Sequence, residues 1–226
     1  MALRFIIPGS FNNPDLPVLD VVGFQDTFTR ADSSSLGHAE FPARPWETIP
    51  TDAVQGITGG SAYVTRSGNP AATLAVVDAL TADGTLTATL GKPQLNHLGL
   101  AFRVASVTDH WRITSHASGG IFLVKTVGNT TTTVQNVSTR SVEEGDELSV
   151  ELAGPSIRVF LRGEEVMSAT DTALQGLTRH GWYSNGDAAN LIHDVKFMPA
   201  CPPHARCRPI VGGFFYTQLG VKQYGR

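Results

Sequence analysis

The acidic run Glu143-Glu144-Gly145-Asp146-Glu147, with Glu151 beyond it, is the place in this sequence where paired carboxylates could do acid–base work. Glycoside hydrolysis needs two such groups flanking one bond, one as nucleophile or base and the other as acid. In an extended chain Glu144 and Asp146 share a face, but Leu148 takes the next position on it, and Gly145-Asp146 reads as a turn. The run is therefore expected to be a solvated turn that discourages edge-to-edge pairing of strands. Ser and His are plentiful, yet no Gly-x-Ser-x-Gly elbow occurs, and the seven His are scattered. His110, beside Trp111, and His180, before Gly181-Trp182-Tyr183, read as loop or strand residues. No catalytic residue is assigned, and the chain is not expected to be an enzyme.

Cys201-Pro202-Pro203-His204-Ala205-Arg206-Cys207 is a sharper local cluster. Two thiolates and one imidazole would supply three zinc ligands where a structural site needs four. A disulfide closing the small loop is the other alternative, and two free thiols are the default reading. Asp78, Asp83, Asp109 and Asp187 fall in expected loops that could offer oxygens to calcium. No Asp-rich calcium-loop motif orders them, so no cofactor is assigned, and calcium stays open without named ligands. Trp182, Tyr183, Asn185 and Asp187 have the composition of a sugar site, with rings to stack on pyranose faces and an amide and a carboxylate for hydroxyls. Core packing is the competing reading for Trp182.

These groups must be positioned by strands. The 226 residues include 23 Gly, 13 Pro and 23 Thr, and charged residues are only 16% where about 25% is usual. That composition favours extended, turn-rich backbone. Phe24-Gln25-Asp26-Thr27-Phe28 and Ile192-His193-Asp194-Val195-Lys196-Phe197 alternate apolar and polar residues, and they are expected to open and close one domain as neighbouring strands. Leu148 to Leu152, Ile157 to Leu161 and Glu165 to Ala169, separated by Gly154-Pro155 and Arg162-Gly163, read as a three-stranded meander. Within it Ile157, Val159 and Leu161 should face the core, with Arg158 and Phe160 turned away. No window carries a sustained helical repeat; only Asp171 to Leu177 could form a turn or two. The expected fold is all-β, an antiparallel sandwich.

Asp26-Thr27-Phe28-Thr29-Arg30-Ala31-Asp32, followed by Leu36-Gly37 and Trp46, resembles the opening of a domain found in actinobacteriophage minor tail proteins. Ile57-Thr58-Gly59-Gly60-Ser61-Ala62-Tyr63, Gly99 to Val104 with Trp111, Gly145-Asp146-Glu147-Leu148, Ile157-Arg158-Val159, His180-Gly181 and Asp194 to Phe197 extend the likeness over roughly residues 23 to 198. The resemblance implies a concanavalin A-like (laminin-G-like) jelly roll, with Trp46 and Trp111 as core landmarks. It also implies a structural virion protein of the tail, with other tail proteins as partners and a host surface polysaccharide as a target, and the terminal arms add the expectation of a homo-oligomer; the alternative is a stand-alone carbohydrate-binding module, with a cell-wall polysaccharide hydrolase or a capsid decoration protein behind it. The sequence departs from the family where Phe41-Pro42-Ala43-Arg44-Pro45 stands in place of a Gly-rich stretch.

Three segments follow: an N-terminal arm, 1–22, the jelly-roll domain, 23–198, and a C-terminal assembly tail, 199–226. Leu3, Phe5 and Ile7 in one arm, and Phe214, Phe215, Tyr216 and Leu219 in the other, are apolar residues ill suited to water. They are expected to dock on neighbouring subunits, with folding back on their own domain as the alternative. A net charge of −3 and a pI near 6.1 argue against nucleic acid as a partner. No apolar run approaches the roughly 18 residues of a membrane span. Met1 to Pro8 lacks the form of a secretory signal, so assembly in the host cytoplasm is the expected origin.

Overall fold

A computed structural model describes residues 18–21, 23–66, 72–92, 97–116, 119–187, 189–201, 206–211 and 214–215. The strands are β1 (Val18–Val21), β2 (Phe24–Asp26), β3 (Glu47–Ile49), β4 (Val54–Thr58), β5 (Ser61–Thr65) and β6 (Thr73–Asp78). They continue with β7 (Gly84–Lys92), β8 (Leu98–Ser106), β9 (Asp109–Ser115), β10 (Ile121–Val127), β11 (Thr130–Val137) and β12 (Glu147–Ala153). The last six are β13 (Ser156–Leu161), β14 (Glu164–Thr170), β15 (Arg179–Ser184), β16 (Leu191–Pro199), β17 (Arg206–Val211) and β18 (Phe214–Phe215). No helix occurs among the described residues.

Two antiparallel sheets form a jelly-roll sandwich. One runs β11-β10-β9-β8-β15-β6-β3 and the other β14-β13-β12-β7-β16-β5-β4, with β2 paired to β16. Phe24 lies opposite Phe197, and Asp26 opposite Val195, so the first and last strands of the sandwich are neighbours. β12, β13 and β14 are the expected meander. Ile157, Val159 and Leu161 are buried, Arg158 is exposed and Phe160 is half-buried. The period of two places one apolar row per strand between the sheets. Leu86, Ala88 and Leu90 of β7 and Leu148, Val150 and Leu152 of β12 meet Leu98, Leu100 and Phe102 of β8, Trp111 and Ile113 of β9, and Trp182 of β15. Each Leu, Val, Ile or Phe among them stabilises the fold by about 1.5–3 kcal/mol through burial alone.

The opening motif is a knot made by one carboxylate. Asp26, fully buried, accepts the Phe28 amide at 3.0 Å, both ends of the Arg30 fork at 2.5 and 3.0 Å, and the Trp46 indole N–H at 2.7 Å. Arg30 also donates to the Leu36 carbonyl at 2.6 Å. The motif residues thus hold the first strand, the following loop and Trp46 together.

In β8 the ladder with β9 is irregular between Phe102 and Ser106, and Arg103 sits at φ 49°. The bulge breaks the alternation: Arg103 is wholly buried and reaches Asp83 at 3.2 Å and the Gly154 carbonyl at 2.5 Å. Two glycines are required by close approach in the same sheet. A Cβ on Gly99 would stand 2.0 Å from the Ile113 carbonyl oxygen, and one on Gly181 would stand 2.0 Å from that of Ala75.

Val18–Val21 pairs in parallel with β17, from Val18 opposite Arg206 to Val21 opposite Pro209, and β18 adds to β17. The described parts of the two arms therefore join each other within one chain. Leu3, Phe5, Ile7, Tyr216 and Leu219 lie outside the described residues; Phe214 and Phe215 contribute the backbone of β18.

Candidate functional site

The acidic run is held as a turn. Asp146, nearly buried, accepts Arg162 Nε and Nη2 at 2.5 and 2.7 Å and the Glu143 amide at 2.7 Å, while the Gly145 amide bonds the Leu90 carbonyl at 2.7 Å. Glu144 is exposed beside it. The two carboxylates do not face one another across a cleft; Asp146 is occupied in closing the turn.

Of the four aspartates expected in loops, Asp78 ends β6 and Asp109 opens β9, while Asp83 and Asp187 do lie between strands, and each ties down a different segment. Asp78 accepts the Thr178 hydroxyl at 2.7 Å and the Leu80 amide at 2.9 Å, and the Thr178 bond leads in holding its carboxyl below the usual range. Asp83 accepts the Gly154 amide at 2.9 Å, Asp109 the Gly128 amide at 2.8 Å, and Asp187 the Ala189 amide at 2.9 Å. No group of three metal-ligating side chains is found among the described residues. Cys201 is disulfide-bonded, which corrects the default of two free thiols. A bonded sulfur has no lone thiolate to give to zinc.

Trp182, Tyr183, Asn185 and Asp187 do not share a surface. Trp182 is fully buried on the inner face of β15, so its ring is part of the core and is not presented to a sugar. Tyr183, one residue on, points to the outer face of the sheet. Asn185 accepts the Asp187 amide at 3.2 Å and an Asn190 amide N–H at 3.0 Å, which gives both residues a part in shaping the loop after β15.

The outer face of the seven-stranded sheet carries the arrangement that sequence reasoning missed. Residues opposite one another in register share a face. Val124 lies opposite Arg112, Arg112 opposite Ala101, Ala101 opposite Gly181, and Gly181 opposite Val76. The Arg112 guanidinium stacks over the Tyr183 ring at 5.0 Å. Its Nη1 donates to His110 Nε2 at 2.9 Å and to Thr126 Oγ1 at 3.1 Å. Because an arginine only donates, His110 accepts at Nε2 and its proton sits on Nδ1, which is buried without a hydrogen-bond partner. Burial pushes the pKa of His110 down to about 4, and the positive Arg112 pushes the same way, so the imidazole is neutral at pH 7. Beside this polar cluster Leu74, Val76, Ala101, Val104 and Tyr183 form a second apolar group, separate from the core. The signal was present in His110-Trp111-Arg112-Ile113-Thr114: once Trp111 and Ile113 are core, His110, Arg112 and Thr114 must face outward.

The central strands of this face are poor in acid. β8, β10 and β15 contain no Asp or Glu, and β9 contains Asp109 alone, at its start, bonded to the turns around it.

No protein-family model matches this chain, and no curated protein matches it. Solved structures of similar fold do. A prokaryotic β-1,3-1,4-glucanase (lichenase) derived from a mouse hindgut metagenome superposes with a TM-score of 0.54 at 11% identity, covering 79% of this chain and 100% of that one. The transglycosylase Crh5 in its apo form gives 0.53 at 13%, covering 82% and 88%. The β-glucanase of Bacillus licheniformis gives 0.52 at 9%, covering 79% and 99%. At these identities the likeness establishes the concanavalin A-like jelly roll and nothing finer.

Proposed function

We propose that this chain is a non-catalytic carbohydrate-binding domain, carried by a bacteriophage tail as a minor tail or tail-tip component and directed at host surface polysaccharide. The observation that carries the binding part is the jelly-roll sandwich, the fold this chain shares with a lichenase and a β-glucanase. Retaining glycoside hydrolysis needs two carboxylates about 5–5.5 Å apart; the acid-poor strands β8, β10 and β15 speak for binding without cleavage. The glucanase and transglycosylase neighbours act on glycans by their names, and they lend this chain a precedent in fold only. The tail setting rests on the motif resemblance of residues 23 to 198. A disulfide at Cys201 suits a protein that works outside a reducing cytosol, whether on a particle or alone.

A glycan array probed with the intact chain tests binding, and an assay for new reducing ends tests cleavage. Array signal without reducing-end release supports the proposal. Release that disappears in Glu144→Gln would replace it with a hydrolase. A chain that sediments as a single monomer would favour an independent binding module over a subunit held by its arms.

A further inference from the structure

Strand register fixes which residues share the outer face of the eight-stranded sheet. One row runs Gln25, Lys196, Thr87, Ser149, Phe160 and Glu165 across β2, β16, β7, β12, β13 and β14. A second row, two residues along each strand, runs Met198, Thr85, Glu151, Arg158 and Ser168. Between them Phe197, Leu86, Val150 and Val159 are fully buried in the core, so both rows point outward. With neighbours about 4.8 Å apart, the six strands of the longer row span about 24 Å.

This face is open, whereas on the outer face of the other sheet Leu74, Val76 and Ala101 are fully buried and Tyr183 nearly so. The side chains of Arg158, Glu151 and Glu165 are 46, 44 and 39% exposed, and Phe160, Ser149 and Lys196 are half-buried. At its β13–β14 end lies an open depression of about 410 Å³ lined by Ser156, Arg158, Glu165, Ser168, Ala169 and Thr170. Small-ligand sites occupy about 300–1,000 Å³.

The chemistry of the two rows selects the ligand. Arg158 donates from Nη1 to Glu151 at 2.7 Å and from Nη2 to Glu165 at 2.6 Å, and its guanidinium lies over the Phe160 ring at 5.0 Å. Held from three sides, these side chains are ordered by folding, and a ligand does not have to order them again. Both carboxylates bond Arg158 through Oε2, which leaves each Oε1 to accept a hydroxyl. Thr85, Ser149 and Ser168 add hydroxyls that donate and accept, while Phe160 and Met198 offer apolar surface to the C–H faces of a sugar ring. The acids Glu151 and Glu165 balance the bases Arg158 and Lys196, and the next row along, Glu147, Thr89 and Asp194, adds acid alone. A polyanion is repelled by such a surface, and a neutral chain rich in hydroxyls is not. The guanidinium fills the space between Glu151 and Glu165, so the pair does not flank a bond in the way that cleavage requires.

Resting on the carbohydrate-binding proposal, we infer that the outer face of the eight-stranded sheet is the saccharide platform, and that it takes a neutral oligosaccharide laid across the strands and anchored at Phe160 and Arg158.

Calorimetric titration of the full chain with the neutral hexasaccharides cellohexaose, laminarihexaose and mannohexaose, and with hexagalacturonate, tests this. At least one neutral chain should bind about 10-fold more tightly than the acidic one. Phe160→Leu, which keeps apolar packing and loses the ring, should weaken that binding about 10-fold. Arg158→Gln, which releases both carboxylates, should weaken it as well. Thermal melting of both variants confirms the fold, and the Arg158 variant, at an exposed position, serves if the Phe160 one unfolds. Affinity unchanged in both variants, tighter binding of hexagalacturonate than of every neutral chain, or array signal confined to acidic glycans overturns the platform while leaving carbohydrate binding in place. Failure of every saccharide, on the array as in titration, overturns both.

Discussion

The buried carboxylate of Asp26 accepts the indole N–H of Trp46 at 2.7 Å across twenty residues of sequence, and the same carboxylate grips Arg30. A motif that reads in sequence as a series of landmarks is physically one acceptor satisfying three donors. Asp26→Asn keeps an oxygen for the indole but puts an NH2 against the guanidinium. We expect a loss of about 2 kcal/mol, below the 3–5 kcal/mol typical of breaking a fully buried pair, because the Arg30 side chain is 33% exposed. Urea denaturation gives the value, and a loss under about 0.5 kcal/mol would show that the knot contributes little.

The acidic run provides an internal control. Glu144→Gln alters an exposed carboxylate in a turn and should change stability by no more than about 0.5 kcal/mol. Asp146→Asn, two residues on, weakens the bonds to Arg162 and should cost about 1–2 kcal/mol. Equal effects of the two variants in the same denaturation series would contradict the turn geometry.

Stability should fall on mild acidification. His180 donates from Nε2 to the Thr81 carbonyl at 3.1 Å and accepts the Arg103 amide at Nδ1, and burial holds its pKa down to about 4, as it does for His110. In the unfolded chain both titrate near 6.5. Between about pH 6.5 and 4 the unfolded state binds more protons, so stability is complete above that window and is lost as pH falls through it. Each tenfold loss of proton affinity on folding corresponds to about 1.4 kcal/mol, so the two histidines together contribute on the order of a few kcal/mol. Thermal melts from pH 7.5 to 4 measure the slope. His180→Gln, whatever its effect at pH 7.5, should make the slope shallower, and an unchanged slope would rule His180 out as its source.

Arg103 should be replaceable. Its Nε and Nη1 are buried without partners, and Asp83, its ion-pair partner, is 41% exposed and can turn to water. Arg103→Met removes the buried charge without stranding another, so the variant should lie within about 1 kcal/mol of the parent in denaturation. A loss of about 3 kcal/mol or more would mean that the bond to the Gly154 carbonyl outweighs the unpaired donors.

Strand order within local segments was legible because a half-buried sheet writes its period of two into the chain. Ile157, Val159 and Leu161 announced their face, and Phe24 and Phe197 announced the ends of the domain. Longer-range features were not legible for specific reasons. Trp182 and Tyr183 are adjacent aromatics that must face opposite ways, and alternation alone does not say which one meets the core; the partner strands β6 and β8 decide it. Arg103 reads as an outward residue of an alternating strand until the left-handed turn of its own backbone brings it inside. Arg112 could have been placed outward from Trp111 and Ile113, but the Tyr183 ring it stacks on lies two strands away, on β15, and that pairing is visible only once the sheet is assembled.

The parallel ladder from Val18–Val21 to Arg206–Pro209 bears on how the molecule carries load. A pull applied before Val18 and after Val211 draws these two strands past each other along their length, so the bonds between them share the tension and must yield together. Behind that clasp, β2 and β16 are antiparallel with Phe24 beside Phe197, a geometry that opens one bond at a time from the end. The clasp therefore stands between traction on the ends of the chain and the seam at which the sandwich would otherwise begin to peel.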